Sequence, residues 1–207
     1  MARITHRNTV LEAAWHLFWE RGYHATSIAD IAKAAGLPKG SVYNYFESKD
    51  ALLLAAVGRL RLQVETELRS RVLAGTPSPG QIVDKLIDHY IVLFAEYGYG
   101  RGDIAGNLLS ELADTKPELA AEIAKISTAW RTMVAQKIWA YATVTRTAPL
   151  MERAADLAAI IWATVQGLLI QMKATRSKTP LEEARHSLRA MVDAYVNELA
   201  AASYGER

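Results

Sequence analysis

Ala35-Gly36-Leu37-Pro38-Lys39-Gly40-Ser41-Val42-Tyr43-Asn44-Tyr45-Phe46-Glu47-Ser48-Lys49 decides how the rest of this chain reads. Gly36 suits the end of a short helix, because glycine takes the left-handed conformation of a helix stop at least cost. Pro38 cannot extend that helix but fits the first turn of a new one. The spacing predicts a short second helix from Pro38 to Tyr45. Val42 and Phe46, four apart, point inward together. Lys39, Ser41, Tyr43, Asn44 and Tyr45 fill the outer face. Such a face can donate to phosphates, bond base edges and touch a thymine methyl. Ser48 is a helix cap, with Asp50 in the first turn where the helix dipole favours an acid.

Upstream, Thr26-Ser27-Ile28-Ala29-Asp30-Ile31-Ala32-Lys33-Ala34-Ala35 begins with a Ser-x-x-Asp start close to a capping box. Ile28, Ile31 and Ala32 form its inner face. Two short helices joined by a glycine turn are the helix-turn-helix signature, although an ordinary helical hairpin shares the turn. Gly22-Tyr23, Thr26-Ser27, Asp30-Ile31-Ala32, Ala35-Gly36, Lys39-Gly40-Ser41-Val42-Tyr43, Tyr45-Phe46 and Ser48-Lys49 together resemble the N-terminal domain of the TetR family. These are one-component bacterial transcriptional regulators. The resemblance implies a DNA-reading head, with Lys39, Ser41, Tyr43, Asn44 and Tyr45 in the major groove and Thr26, Ser27 and Lys49 on phosphates. It also implies a helical C-terminal domain that binds an effector and dimerises, usually through its last two long helices.

Composition agrees. The chain has 207 residues, 51% hydrophobic, with a formal charge of +2. That is enough apolar content for a substantial core and argues against disorder. Residues 1–49 carry Arg3, Arg7, Arg21, Lys33, Lys39 and Lys49 against Glu12, Glu20, Asp30 and Glu47, so the weak positive charge lies at the N-terminal end. The lead-in Arg3, His6 and Arg7 could follow DNA or fray into solvent. The lack of cysteine excludes disulfides, thiol nucleophiles and thiolate metal sites. No leader-like apolar run opens the sequence, and the apolar stretch from Leu157 to Met172 reads as too short to span a membrane. A cytoplasmic protein with no membrane partner is expected.

Helical periodicity predicts an all-α chain. Helices are expected over Thr5–Arg21, from Ser48 to near Leu73, over Gln81–Tyr97 and Asp103–Ala113, from Pro117 to near Ala142, over Pro149–Ala174, and from Thr179 onward. Gly75 to Gly80 and Gly98 to Gly102 read as loops, the second flexible. The helix over Pro149–Ala174 is apolar on nearly every side and is expected to be buried all round. The domain division expected is a helix-turn-helix head over 1–49 and an effector-binding and dimerisation domain over 50–207.

The five histidines are scattered, and no metal cluster or nucleophile motif appears. No cofactor is expected. The second half has many aromatic residues, which fill a plain core or line a cavity. A cavity among the middle helices would be lined by Tyr90, Phe94, Tyr97, Asn107, Glu111, Trp130, Met133, Trp162 and Gln166, with Asn107, Glu111 and Gln166 orienting the ligand. Gly106-Asn107-Leu108 and Glu111-Leu112-Ala113 look like the branch that includes regulators of electrophile and acrylate responses. Some of those sense with a cysteine just before this stretch, where Asp103-Ile104-Ala105 stands here, so covalent sensing does not carry over. Dimer contacts are expected from Ala159, Ala163 and Gly167, small enough for close helix approach, with Leu188, Met191 and Tyr195.

The expected function is a homodimeric regulator on a palindromic double-stranded operator, a repressor released by a small hydrophobic or aromatic effector. Two alternatives stay open: a ligand-independent DNA-binding protein, and an all-helical enzyme or ligand carrier.

Overall fold

Helices α2 (Ile28–Ala34) and α3 (Lys39–Val42) form where the glycine turn requires them. Ser27 caps α2, and the Asp30 carboxylate returns to the Ser27 backbone, completing the capping box. Gly36 takes a positive φ of 67° at the turn. The computed structural model describes residues 2–205 of the chain, and the side-chain surroundings of residues 6–202. Arg3 lies outside those side chains. All regular elements among the described residues are helical.

The chain divides into two compact units, one up to Val64 plus Ile104–Ile126, the other Glu65–Asp103 plus Ser127 onward. The division differs from a cut at residue 49, because the first unit takes in α4 (Lys49–Glu67) almost whole, α6 (Ile104–Leu112) and the start of α7 (Pro117–Thr145). In this unit α1 (Ala2–Arg21) packs on α2 and α6. Its core holds Val10, Ala14, Phe18, Ile31, Val42, Leu52, Leu53, Leu108 and Leu112. The helix after Pro38 is shorter than its spacing suggested. After Val42 the chain tightens, with Asn44 N–H donating to the Ser41 carbonyl and Tyr45 N–H to that of Val42. Ser48 Oγ accepts from Ala51 N–H at 3.0 Å and starts α4 as expected.

In the second unit, α4 ends in a π-helical turn over Leu68–Val72. Then α5 (Pro79–Tyr97) begins two residues before Gln81 because Ser78 caps it, Pro79 takes the first position and Gln81 closes a capping box. The glycine stretch after α5 is not irregular throughout: Tyr99–Arg101 makes a 3-10 turn between Gly98 and Gly102, both at positive φ, and rests against α9 (Ala154–Thr175).

The long apolar helix is interrupted. Arg153, at φ −95° and ψ 3°, separates α8 (Ala148–Glu152) from α9. Helix α9 buries Leu157, Ala158, Ile161, Val165, Leu168, Leu169 and Met172, but Ile160 and Ile170 are exposed, so it is not buried all round. At 22 residues, α9 is long and apolar enough to cross a membrane by length and composition, contrary to the reading of Leu157–Met172 as too short. The run is longer because Ala154, Ala155 and Ala174 extend it at both ends. Core helices of water-soluble proteins pass the same test. Finally α10 (Thr179–Gly205) packs on α5, α8 and α9, with Arg185 bonded to Asp88 and Arg189 to Asp84.

Candidate functional site

The face after Pro38 is open. Tyr43 is 52% exposed, and Lys39, Gly40 and Asn44 are exposed beside it. Ser41 and Tyr45 are half-buried, while Val42 and Phe46 anchor the turn from below. Arg7 holds its guanidinium over the Phe46 ring, 4.8 Å from the centroid. An exposed amide, a phenol and an ammonium on a rigid turn can read base edges and hold phosphates.

The three residues assigned to phosphates fare differently. Thr26 is 0% exposed, and its hydroxyl donates to the Gly22 and Leu17 carbonyls. A phosphate cannot reach it; Thr26 closes the α1–α2 connection instead. The Ser27 hydroxyl is exposed but already bonds Asp30, whose carboxyl is held below its usual range by those Ser27 bonds. Lys49 places its ammonium over the Tyr23 ring at 4.0 Å. Burial lowers its pKa, with Glu111 and Asp50 working the other way.

A polar cluster that local sequence patterns do not show fixes this head. Glu111, on α6, accepts from Tyr23 N–H at 2.8 Å and from His24 N–H at 2.6 Å. Tyr23 is buried against Phe18, and its hydroxyl donates to Asp50. Asp50 also accepts from Lys116 Nζ at 2.7 Å, and these bonds from Lys116 and Tyr23 hold its carboxyl below the usual value. Burial first, then Asp50, pushes the Tyr23 phenol well above its ordinary range. Gly22 permits the clamp: its φ is +83°, and a Cβ there would stand 2.5 Å from Glu111 Oε2. Glu111 is therefore occupied by backbone donors of the head, and the role of ligand-orienting acid is corrected.

In the second unit, α5, α7 and α9 bring several expected lining residues together. Tyr90 stacks on Phe94 with centroids 6.1 Å apart, and Trp130 meets Trp162 at 4.7 Å. Met133 lies one turn on from Trp130 and is buried too. Gln166 follows Trp162 by one turn of α9, and Tyr97 is half-buried at the end of α5. Asn107, half-buried on α6, belongs with Glu111 to the other unit. Trp139, half exposed, stands outside the aromatic group. An open depression of about 370 Å³ lined by Arg71, Lys85, Asp88, His89 and Val92 shares no residue with the expected set. No group of three or more metal-ligating side chains occurs among the described residues.

Of the expected dimer residues, Met191 is 67% exposed and Ala163 is exposed, while Ala159, Gly167 and Tyr195 are half-buried. Leu188 is only 5% exposed and lies in the core of the chain, which removes it from a contact surface. It shares an inner stripe with Val192, four residues on, whereas Met191, three residues on, sits at the outer edge of that stripe and is exposed.

A helix-turn-helix with an open polar and aromatic reading face, carried on an all-helical chain, defines a DNA-binding transcriptional regulator. Residues 10–56 match the family model described as bacterial regulatory proteins, tetR family, and residues 79–187 that of the transcriptional regulator LmrA/YxaF-like C-terminal domain. The chain belongs to the TetR family. It is 30% identical over 185 residues to the HTH-type transcriptional repressor DhaR of Mycobacterium sp. (strain GP1), covering 88% of this chain and 90% of that one. A TetR transcriptional regulator from Chloroflexus aurantiacus J-10-FL is 28% identical with a TM-score of 0.75, over 93% of this chain and 97% of that one. Regulatory protein TetR from Rhodobacter sphaeroides shares the fold, with a TM-score of 0.78 at 23% identity over 88% and 96% of the two chains. These relatives are transcriptional regulators, which are not enzymes.

Proposed function

We propose that the protein is a homodimeric repressor, acting in the cytoplasm on a palindromic operator and released by a small hydrophobic or aromatic effector. Exposed Tyr43, Asn44 and Lys39 beside the buried anchors Val42 and Phe46 are the observation that carries the DNA half of this reading. Asn44 and Tyr43 read base edges, Lys39 and the half-buried Ser41 and Tyr45 support them, and Ser27 and Lys49 lie at the margin. The effector half rests on the aromatic cluster of Tyr90, Phe94, Trp130 and Trp162, whose apolar walls would supply most of the affinity.

The dimer reading rests on the outer face of α9. Ile160, Ala163, Gly167 and Ile170 recur there at helical spacing, with exposed Met191 on α10. Two copies of such a face, related by a two-fold axis, would place two heads on two half-sites about one helical turn, or a multiple of it, apart. An effector releases DNA only by preferring the state whose heads are mis-spaced, and only by that difference in affinity. A gel shift on the DNA upstream of the chain's own gene, with and without aromatic compounds, tests the whole reading. Retarded DNA released by a compound supports it. A shift that no aromatic compound alters leaves a ligand-independent regulator, and no shift at all opposes the repressor assignment.

A further inference from the structure

Two buried donors in the aromatic cluster meet no acceptor at hydrogen-bond geometry. Trp130 Nε1 and Gln166 Nε2 are both buried and make no hydrogen bond. Trp130 is 1% exposed and lies against Trp162, and Gln166 stands one turn beyond Trp162 on the same side of α9. Tyr90 lies near Trp130. Burial, then the charge of Asp103, keeps its phenol protonated far above its ordinary range, and the Trp130 N–H lies near enough to offset part of that shift without meeting hydrogen-bond geometry. Native interiors seldom leave such groups unpaired, and an indole can only donate.

We propose that the effector is an uncharged aromatic molecule carrying a carbonyl-type oxygen, which accepts from Trp130 Nε1 and Gln166 Nε2 while its ring lies among Trp162, Tyr90 and Phe94. This rests on the effector reading above and narrows it. A carboxylate would be stripped of water with no cation among these donors, and Asp103 and Glu67 already raise the Tyr90 phenol by repulsion. An ammonium brings donors of its own and would leave both N–H groups without an acceptor. A hydrocarbon would leave both N–H groups as they are.

Isothermal titration of the full-length protein with acetophenone, ethylbenzene, benzoate and benzylammonium separates these cases. Acetophenone should bind about tenfold tighter than ethylbenzene, the difference expected of two added hydrogen bonds. In Gln166→Leu and Trp130→Phe that gap should narrow several-fold, through loss of acetophenone affinity with ethylbenzene unchanged. The comparison of four ligands on the unaltered protein does not depend on either variant folding. Equal binding of ketone and hydrocarbon, or tightest binding of benzoate or benzylammonium, overturns the acceptor claim and leaves the effector reading standing. Binding of none of the four overturns the effector reading itself, and this inference with it.

Discussion

The two units pair their polar groups to different degrees. In the first, Glu111, Tyr23, Asp50 and Lys116 engage one another or the backbone. In the second, Trp130 and Gln166 keep buried donors with no partner. A satisfied network rigidifies what it joins, here the turn after α1, the start of α4, and α6 with the residues that follow it. An unsatisfied pair invites an outside acceptor. On the function proposed above, the contrast separates a DNA-reading head, whose geometry must be fixed, from the helical body assigned to the effector.

The largest expected effect divides core from surface within the body. Leu188→Glu buries a charge without a partner and should cost about 4 kcal/mol or more, seen as a collapse of the chemical denaturation midpoint. Met191→Glu, at an exposed position, should change protomer stability by no more than about 0.5 kcal/mol but lower the dimer fraction in sedimentation. A dimer that survives Met191→Glu would move the interface off this face.

Next comes a comparison of sign. Glu111→Leu strands two backbone donors at the head and should cost roughly 1–3 kcal/mol, with weaker DNA binding. Gln166→Leu removes an unpaired donor and should be neutral or stabilising in the absence of ligand. If both variants lose equal stability, the distinction between the two units is wrong. Gly22→Ala should resemble Glu111→Leu, at about 1–3 kcal/mol, since it combines a positive φ with a clash on the same carboxylate.

The smallest effects are in pH. His89, nearly buried beside Glu67 and Arg71, has its pKa lowered from 6.5, first by burial. Its unfolded form binds a proton more readily, so the stability it contributes is present above 6.5 and is lost as pH falls through the lowered folded value. Asp50, also lowered, contributes stability that is present above 3.8 and lost as pH falls through its folded value. Acid should therefore weaken the body before the head. His89→Phe should flatten the first loss and Asp50→Asn the second, in denaturation midpoints measured along a pH series. The Asp50 effect is small because its side chain is 41% exposed and solvent screens the pair.

Local chemistry made much of the head legible. Gly36, the Ser27–Asp30 box and the Ser48 cap obey rules that operate within four residues, and the structure places all three as read. Thr26 was misplaced because a threonine hydroxyl serves a phosphate or a nearby carbonyl equally well, and only the fold of α1 onto α2 decides for Gly22 and Leu17. Glu111 acts 88 residues away from Tyr23, a separation no periodicity encodes. Leu188 and Met191 are both apolar and only about 60° apart around the helix, so which of the two is covered is decided by how α5 packs against α10. The Ser78-Pro79-Gly80-Gln81 start was readable, since it has the form of Thr179-Pro180-Leu181-Glu182. The break at Arg153 has no such local mark.

Selection from a randomised duplex DNA library, followed by sequencing, tests the reading face most directly. The unaltered protein should enrich a two-fold symmetric motif with half-sites about one helical turn, or a multiple of it, apart. Asn44→Ala should enrich the same spacing with relaxed base preference at the position it contacts, equivalent to about 1–3 kcal/mol of lost discrimination. Lys39→Ala should weaken all sequences alike and flatten the salt dependence by about one unit. An identical motif, equally sharp, from the unaltered protein and Asn44→Ala would contradict the assignment of this face to the bases.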